Sequence, residues 1–366
     1  MIADIMTEKQ IHWKFLSAKI VACCLGVIVL AWGIHIVETH RHPHKNKVIP
    51  AAIKLQPTPK QQLKTAPVKD TTAYLDTNQY NAKLLYLVHG KPDKKWPVKT
   101  SYPMAGAILP FKRIVAYYGN FYNATMGVLG TLPTDTMLNH LQAEVKKWEL
   151  TDPNTPVVPA LHYIAVTAQH NGGKNDKYRL RMPFEQIDKA LALAKSIDAV
   201  LFLDIQPGHS TPQDEIPPLE HYLSMPGVYL GIDPEFSMKN GNAPGTTIGT
   251  LDAADINYAI DYLADLVHKY NLPPKILVIH RFTKDMVTNY KQIKTRPEVQ
   301  VVMNMDGWGF PAKKVNSYKL AIEKEPVQFT GFKLFYKNDL TEGQKKIMDD
   351  SDVLKLYPMP SYIQYQ

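Results

Sequence analysis

From residue 110 to its end the chain repeats one pattern, a short apolar run that closes on Asp, Glu, Gln, Asn or His. The clearest instances are VLFLDIQPG at 200–208, VYLGIDPEF at 228–236, KILVIHRF at 275–282 and VVMNMDGWG at 301–309. A strand buried on both faces reads as a near-continuous apolar run, and the strands of a parallel barrel open their C-terminal ends onto the ligand side. Further runs at 113–119, 157–166, 329–336 and 361–365 bring the predicted strands to eight. Between them, apolar positions recur at spacings of three and four, as in DTMLNHLQAEVKKWE, FEQIDKALALAKSI and AADINYAIDYLADLVHKY. In the last, Ile256, Ala259, Ile260, Leu263, Leu266 and Val267 form one helical stripe. Further helices are expected around 283–293, 312–324 and 341–349. Strands alternating with helices over 110–366 predict an α/β fold, a (β/α)8 barrel of TIM type. An open doubly wound sheet is the alternative, but Tyr118-Gly119-Asn120-Phe121-Tyr122 after the first strand lacks the glycine-rich dinucleotide turn.

The N-terminal part follows a different pattern. Ile20 to Val37 contains no Asp, Glu, Lys or Arg and one His, and residues 15–37 are long enough to cross roughly 30 Å of hydrocarbon. They read as an uncleaved transmembrane anchor behind a short cytoplasmic head, 1–14. Ile20-Val21-Ala22-Cys23 has the look of a lipoprotein cleavage box, yet its apolar core lies downstream of the cysteine instead of upstream. Either route attaches the chain to a lipid bilayer. Residues 38–72 are rich in Lys and Pro and read as a tether. Residues 73–109 are expected to pack on the barrel. The chain ends just after the last predicted strand, so this segment is expected to cover the place of an absent final outer helix.

Charge and cysteine content sharpen that division. Residues 41–101 carry 12 Lys or Arg against 3 Asp, whereas residues 102–366 carry 27 against 28 acidic residues, so the net +8 is concentrated ahead of the barrel. The basic stretch suits an anionic surface polymer or lipid; it lacks the interleaved aromatics of a nucleic-acid binder. Cys23 and Cys24, both within the anchor, are the only cysteines, which leaves no thiolate chemistry or disulfide in the exported part. The location implied is a bacterial cell membrane, single-pass, with the barrel outside the cytoplasm.

The strand ends gather Asp204, Gln206, Asp233, Glu235, His280, Asn304 and Asp306 around one mouth. Period-two alternation pairs Asp204 with Gln206, Asp233 with Glu235 and Asn304 with Asp306 on common faces. Glycoside hydrolysis needs a protonated carboxyl to donate to the leaving oxygen and an ionised one as nucleophile or base. Glu235 is the expected acid, raised by the like charges of Asp204 and Asp233; Asp204 is the expected partner, with Asp306 in reserve. Substrate-binding candidates are Tyr118, Asn120, Gln206, His280, Asn304, Trp308, Lys333 and Tyr336. Trp308, between two glycines, is the best sugar platform, while His162 reads as an interior histidine.

No resident cofactor is predicted. The same carboxylates with His280 are also ligand types for Mg, Mn or Zn, so a divalent metal enters with a second reading, a metal-dependent hydrolase. HExxH, CxxC, the Walker motif and GxSxG are all absent. A non-catalytic protein that binds glycan or organises the wall is the third reading.

RIVAYYGN, MGVLG, VVPALHYIAV, KYRLRM, LDIQPGHS, GIDPEFSM, VIHRF, NMDGWG and GFKLFYKND, in this order, resemble a family of bacterial membrane-anchored or lipoprotein-type envelope proteins with a glycoside-hydrolase-like barrel. The resemblance spans about 110–366 and implies an envelope location and a barrel fold; it implies no substrate and no catalytic residue. The acid pattern of chitinase-type barrels, DxxDxDxE on the fourth strand, is not met, because only Asp233-Pro234-Glu235 stands there.

Overall fold

A computed structural model describes residues 74–341 and 343–366. The head, anchor and tether expected at 1–14, 15–37 and 38–72 lie outside the described residues. Among the described residues no helix is long and apolar enough to cross a membrane.

The apolar runs form eight strands: β1 Arg113–Gly119, β2 Val157–Ala168, β3 Val200–Ile205, β4 Val228–Ile232, β5 Lys275–Arg281, β6 Val299–Met305, β7 Phe329–Leu334 and β8 Tyr362–Tyr365. Each pairs in parallel with the next. β8 returns to β1 in the register Ile114↔Tyr362 to Tyr117↔Tyr365, which closes the barrel and excludes an open sheet. Residues of one parity face outward and pack under the helices; those of the other parity fill the interior. Leu201, Leu203, Leu277, Ile279, Val301 and Met303 belong to the outer core, whereas Ile114, Ala116, Phe202, Ile276, Val278 and Val302 belong to the inner one.

The helices follow the three–four periodicity. After α1 (Thr77–Leu87) come α2 (Thr134–Thr151), α3 (Phe184–Ser196), α4 (Ala253–Tyr270) and α5 (Pro311–Ser317), which continues as a π-helical segment Tyr318–Glu323. In α4 the Asp252 side chain accepts from the first turn while Asp255 reaches back to the Asp252 backbone, a capping box; Asn271, left-handed at φ 48°, ends the helix.

Two expected helices do not form as α-helices among the described residues: 283–293 holds only the 3-10 turns Lys284–Met286 and Tyr290–Gln292, and 341–349 holds none. Over 283–293 the buried Arg281 guanidinium gathers the carbonyls of Thr283, Lys284 and Val287, at 3.1, 2.7 and 3.3 Å. Those acceptors are thereby drawn away from helical pairing, and Asn289 at φ 56° breaks the run. Over 341–349 the described residues form no helix; Gly343 sits at φ 82°, and a short helix begins only at Asp350.

The segment before the barrel does not take the place of an outer helix. It closes the N-terminal end of the barrel instead. Tyr80, Leu87 and Leu109 join the inner core beside Ile114, Phe329 and Met359. Polar contacts fix the position: Met359 N donates to Leu87 O at 2.7 Å, Trp96 Nε1 to Glu323 O at 2.9 Å, and Leu109 N to Gln300 Oε1 at 3.1 Å. The outer face of β8 is covered by α2, whose Trp148 is fully buried and donates through Nε1 to Tyr365 Oη at 2.9 Å. The Arg113 guanidinium packs 5.3 Å from the Trp148 ring and pairs with Asp152 at 2.9 Å.

Trp148→Ala should therefore cost about 3–5 kcal/mol, the usual price of a buried tryptophan. A urea titration of the full chain checks this, with a lowered midpoint and an unchanged slope as the expected result.

Candidate active site at the C-terminal mouth of the barrel

The inner core is layered. Above the apolar floor of Ala116, Phe202, Val278 and Val302 comes a polar layer of Tyr118, His162, Asp204, His280, Asn304, Lys333 and Gln364, each no more than 2 % exposed. β4 and β7 contribute glycines here. A Cβ on Gly231 would stand 2.3 Å from both Asp204 Oδ1 and His162 Nε2, and one on Gly331 would stand 2.5 Å from Asn304 Oδ1. Side chains from neighbouring strands occupy the space that β4 and β7 leave empty.

Asp204 is the hub of this layer. Tyr118 Oη donates to Oδ2 at 3.1 Å, His162 Nε2 lies 3.1 Å from Oδ1, and His280 Nε2 makes an ionic contact with Oδ1 at 3.3 Å. The far nitrogen of each histidine is also held. His162 Nδ1 meets Tyr362 Oη at 2.6 Å and Gln364 Nε2 at 3.1 Å, while His280 Nδ1 meets Asp306 Oδ2 at 2.9 Å. Lys333 Nζ binds the other oxygen of Asp306 at 3.0 Å and sits 3.7 Å over the Tyr118 ring.

This packing separates the charge states. Burial works against ionising Asp204, but the His280 charge and the His162 hydrogen bond outweigh it and hold the carboxyl below its usual range. Burial works against Asp306 as well, and Lys333 followed by His280 outweighs it. His280 gains more from Asp204 and Asp306 than burial removes, and its pKa rises from 6.5 to about 10. Burial dominates at His162, whose pKa falls to about 4. The result is a neutral core of two carboxylates, Asp204 and Asp306, against two cations, His280 and Lys333.

A cavity of about 500 Å³ opens above this layer. Its lining includes Tyr118, Gln206, Asp233, Glu235, Asp306 and Lys333, with Phe236, Phe282, Trp308 and Phe335 as aromatic walls. Burial and then the nearby Asp306 raise the Glu235 pKa to about 7. Asp233 is raised too, first by burial and then by Glu235, Asp306 and Asp204, despite the opposing His280 charge. Trp308 keeps 48 % of its surface exposed, and Lys313 Nζ lies 4.6 Å over its ring.

The structure places the sequence candidates unevenly. Glu235, Asp233, Asp306, Gln206, Tyr118, Lys333 and Trp308 line the one cavity. Asp204, the expected partner of Glu235, lies fully buried beneath it, as do His280 and Asn304. Asp306 is thus the ionised carboxylate that shares the cavity with Glu235. The cause assigned to the Glu235 shift also changes, from Asp204 and Asp233 to burial and Asp306. Strand parity does not bring Asp233 and Glu235 together: β4 ends at Ile232, and a 3-10 turn follows in which Asp233 Oδ1 accepts from Glu235 N at 3.1 Å. Asn120 is consumed structurally, donating to Ile164 O at 3.0 Å. Tyr336 stacks on Tyr365 at 5.1 Å and faces a different cavity. Sequence reasoning missed Phe236, Phe282, Lys313, Tyr362 and Gln364. The last two carried a usable signal, since Tyr362, Gln364 and Gln366 alternate with outward Ile363 and Tyr365.

Among the described residues, those grouped closely enough to hold a metal are His162, Asp204 and His280, whose ligand atoms lie within 4.8 Å of one another. The donor set fits a cation poorly. Its carboxylate is already matched by the His280 charge, Lys333 completes the balance, and Gly231 backbone closes against Asp204 and His162. The set is an ion-pair core, extended through His280 to Asp306.

Two outcomes follow from this geometry. Gly231→Ala should displace Asp204 or His162 and lower stability by about 1–3 kcal/mol, read from the midpoint of chemical unfolding. The His280 pKa is raised in the folded state, so its contribution is fully present below about pH 6.5, declines above that and is gone past about pH 10. Melting temperature should therefore fall across that window in the wild type. His280→Gln should be less stable at neutral pH and should lose this part of the slope.

The chain matches no protein-family model and no curated protein.

Proposed function

We propose that the barrel is a glycoside hydrolase acting on cell-surface glycan, held at a bacterial membrane by residues 15–37. The observation that carries this reading is a pair of carboxyl groups in one cavity with their pKa values pushed apart. Glu235 is poised to hold a proton near pH 7, while Lys333 and His280 keep Asp306 ionised. Glu235 then donates its proton to the glycosidic oxygen as the bond breaks. The Asp306 carboxylate faces the positive charge that develops at the anomeric carbon, as nucleophile or as base for water. Asp204 acts from beneath by fixing His280, which in turn orients Asp306. Trp308, with Phe236 and Phe282, offers apolar faces on which a pyranose ring can stack.

A non-catalytic glycan binder is the second reading, favoured by the two salt contacts that occupy both oxygens of Asp306. The two are separated by turnover. Incubation of the full chain with chitin and cell-wall oligosaccharides should release reducing ends. Glu235→Gln should lower kcat by at least about 100-fold while retaining oligosaccharide binding, and Asp306→Asn should be at least as severe. Absence of release from every glycan, with binding intact, would leave the binder.

The pH dependence has a definite sign. The acid must be protonated, so kcat should fall as pH rises through about 7. The same shift means that Glu235 destabilises the folded state above that pH, so Glu235→Gln should raise the melting temperature at pH 8 and leave it nearly unchanged at pH 4. A chelator should change neither rate nor melting temperature, and a loss of activity on chelation would move the protein to the metal-dependent reading. The anomer first released, followed by NMR, assigns Asp306 as nucleophile if configuration is retained or as base if it is inverted.

A further inference from the structure

A second cavity, of about 760 Å³, adjoins the first. Thr125, Phe335, Asn338 and Gln366 belong to the walls of both, so the two cavities lie on either side of one shared partition. The chemistry of the walls changes at that boundary. The first cavity holds the side-chain carboxyls of Asp233, Glu235 and Asp306; the second is lined by Val128, Leu132, Tyr117 and Tyr336, and by no Asp or Glu. The Tyr117 and Tyr336 hydroxyls meet at 3.0 Å, and Tyr336 Oη donates to Glu144 Oε1 at 3.0 Å, so both hydroxyls are engaged within the protein. His140 and Lys337, both exposed, stand on its lining, and neither has an acidic partner among the described residues.

We propose that this second cavity binds an apolar chain attached to the sugar that occupies the first, so that the substrate is an amphiphilic glycoside, a saccharide joined to an aliphatic group. The inference rests on the glycan reading above and adds the class of aglycone. Three features favour a chain over a further sugar. The walls are mainly aliphatic and aromatic and carry no Asp or Glu, the cavity shares four wall residues with the acid-lined one, and Lys337 on its rim suits an anionic linker between sugar and chain.

The test is a chain-length series. Methyl, butyl and hexyl β-N-acetylglucosaminides are titrated calorimetrically into the full chain in lipid nanodiscs, with empty nanodiscs as blank and 1-hexanol as the sugar-free control. Each added methylene should tighten binding about two- to fourfold, or about 30- to 1,000-fold over the five methylenes from methyl to hexyl. Leu132→Asn should flatten that dependence and leave the methyl glycoside unaffected. Equal affinity for methyl and hexyl glycosides, or no binding of either, overturns the proposal. So does binding of 1-hexanol as tight as that of the hexyl glycoside, which would make the groove a lipid site unconnected with the sugar. The dependence is a property of binding and should persist in Glu235→Gln. A steep series without hydrolysis therefore sinks the hydrolase and keeps the amphiphile, whereas hydrolysis without chain-length dependence does the reverse.

Discussion

The buried charge of Asp204 is the constraint around which the upper half of the barrel is arranged. A lone carboxylate in an apolar interior is strongly disfavoured, and this one is fully buried above a floor of Phe202 and Val278. Tyr118, His162 and His280 answer it from three other strands, and through His280 the requirement passes to Asp306 and then to Lys333. Removing one member of such a set leaves an uncompensated charge, typically at a cost of about 3–5 kcal/mol. The network therefore ties β1, β2, β3, β5, β6 and β7 into one geometry. Its upper edge is the cavity that Glu235 and Asp306 share.

The same constraint explains the split between the two carboxyl groups at the mouth. Asp306 lies at the end of the charge chain and receives both cations. Glu235 sits on the turn after β4 and forms no ion pair; burial and the Asp306 charge outweigh the more distant pull of Lys333 and His280. Burial without a partner raises one acid, and burial with two partners lowers the other. The two carboxyl groups that line one cavity are thereby shifted in opposite directions.

Beneath the network the barrel is sealed, and above it the loops divide the space. The N-terminal segment plugs the lower end through Tyr80, Leu87 and Leu109, so the interior opens only upward. Above, the wall formed by Thr125, Phe335, Asn338 and Gln366 separates an acidic chamber from an apolar one. The cavities are thus walled largely by loop residues and Gln366, while the packed strands lie below them.

The strand pattern was legible because it is local: an apolar run buried on both faces has the same composition wherever its neighbours lie, and all eight runs became strands. The polar residues at the strand ends were legible for the same reason, since Asp204, Asp233, Glu235, His280 and Asp306 interrupt runs that otherwise exclude charge. Their depth was not, because Asp204 and Asp306 look alike along the chain, and only the paths of five other strands decide that one is enclosed and the other borders the cavity. Two expected helices failed on a similar ground, at 283–293 because a buried guanidinium took the carbonyls and at 341–349 because the backbone turned left-handed. The pre-barrel segment was expected at the flank and closes the base, a choice made by the shape of the inner core. Sequence by itself determined which residues alternate, which runs are buried and where carboxyl groups cluster. Tertiary structure alone decided which carboxyl keeps its proton, because that depends on distances to His280 and Lys333 across the barrel, which no spacing along the chain encodes.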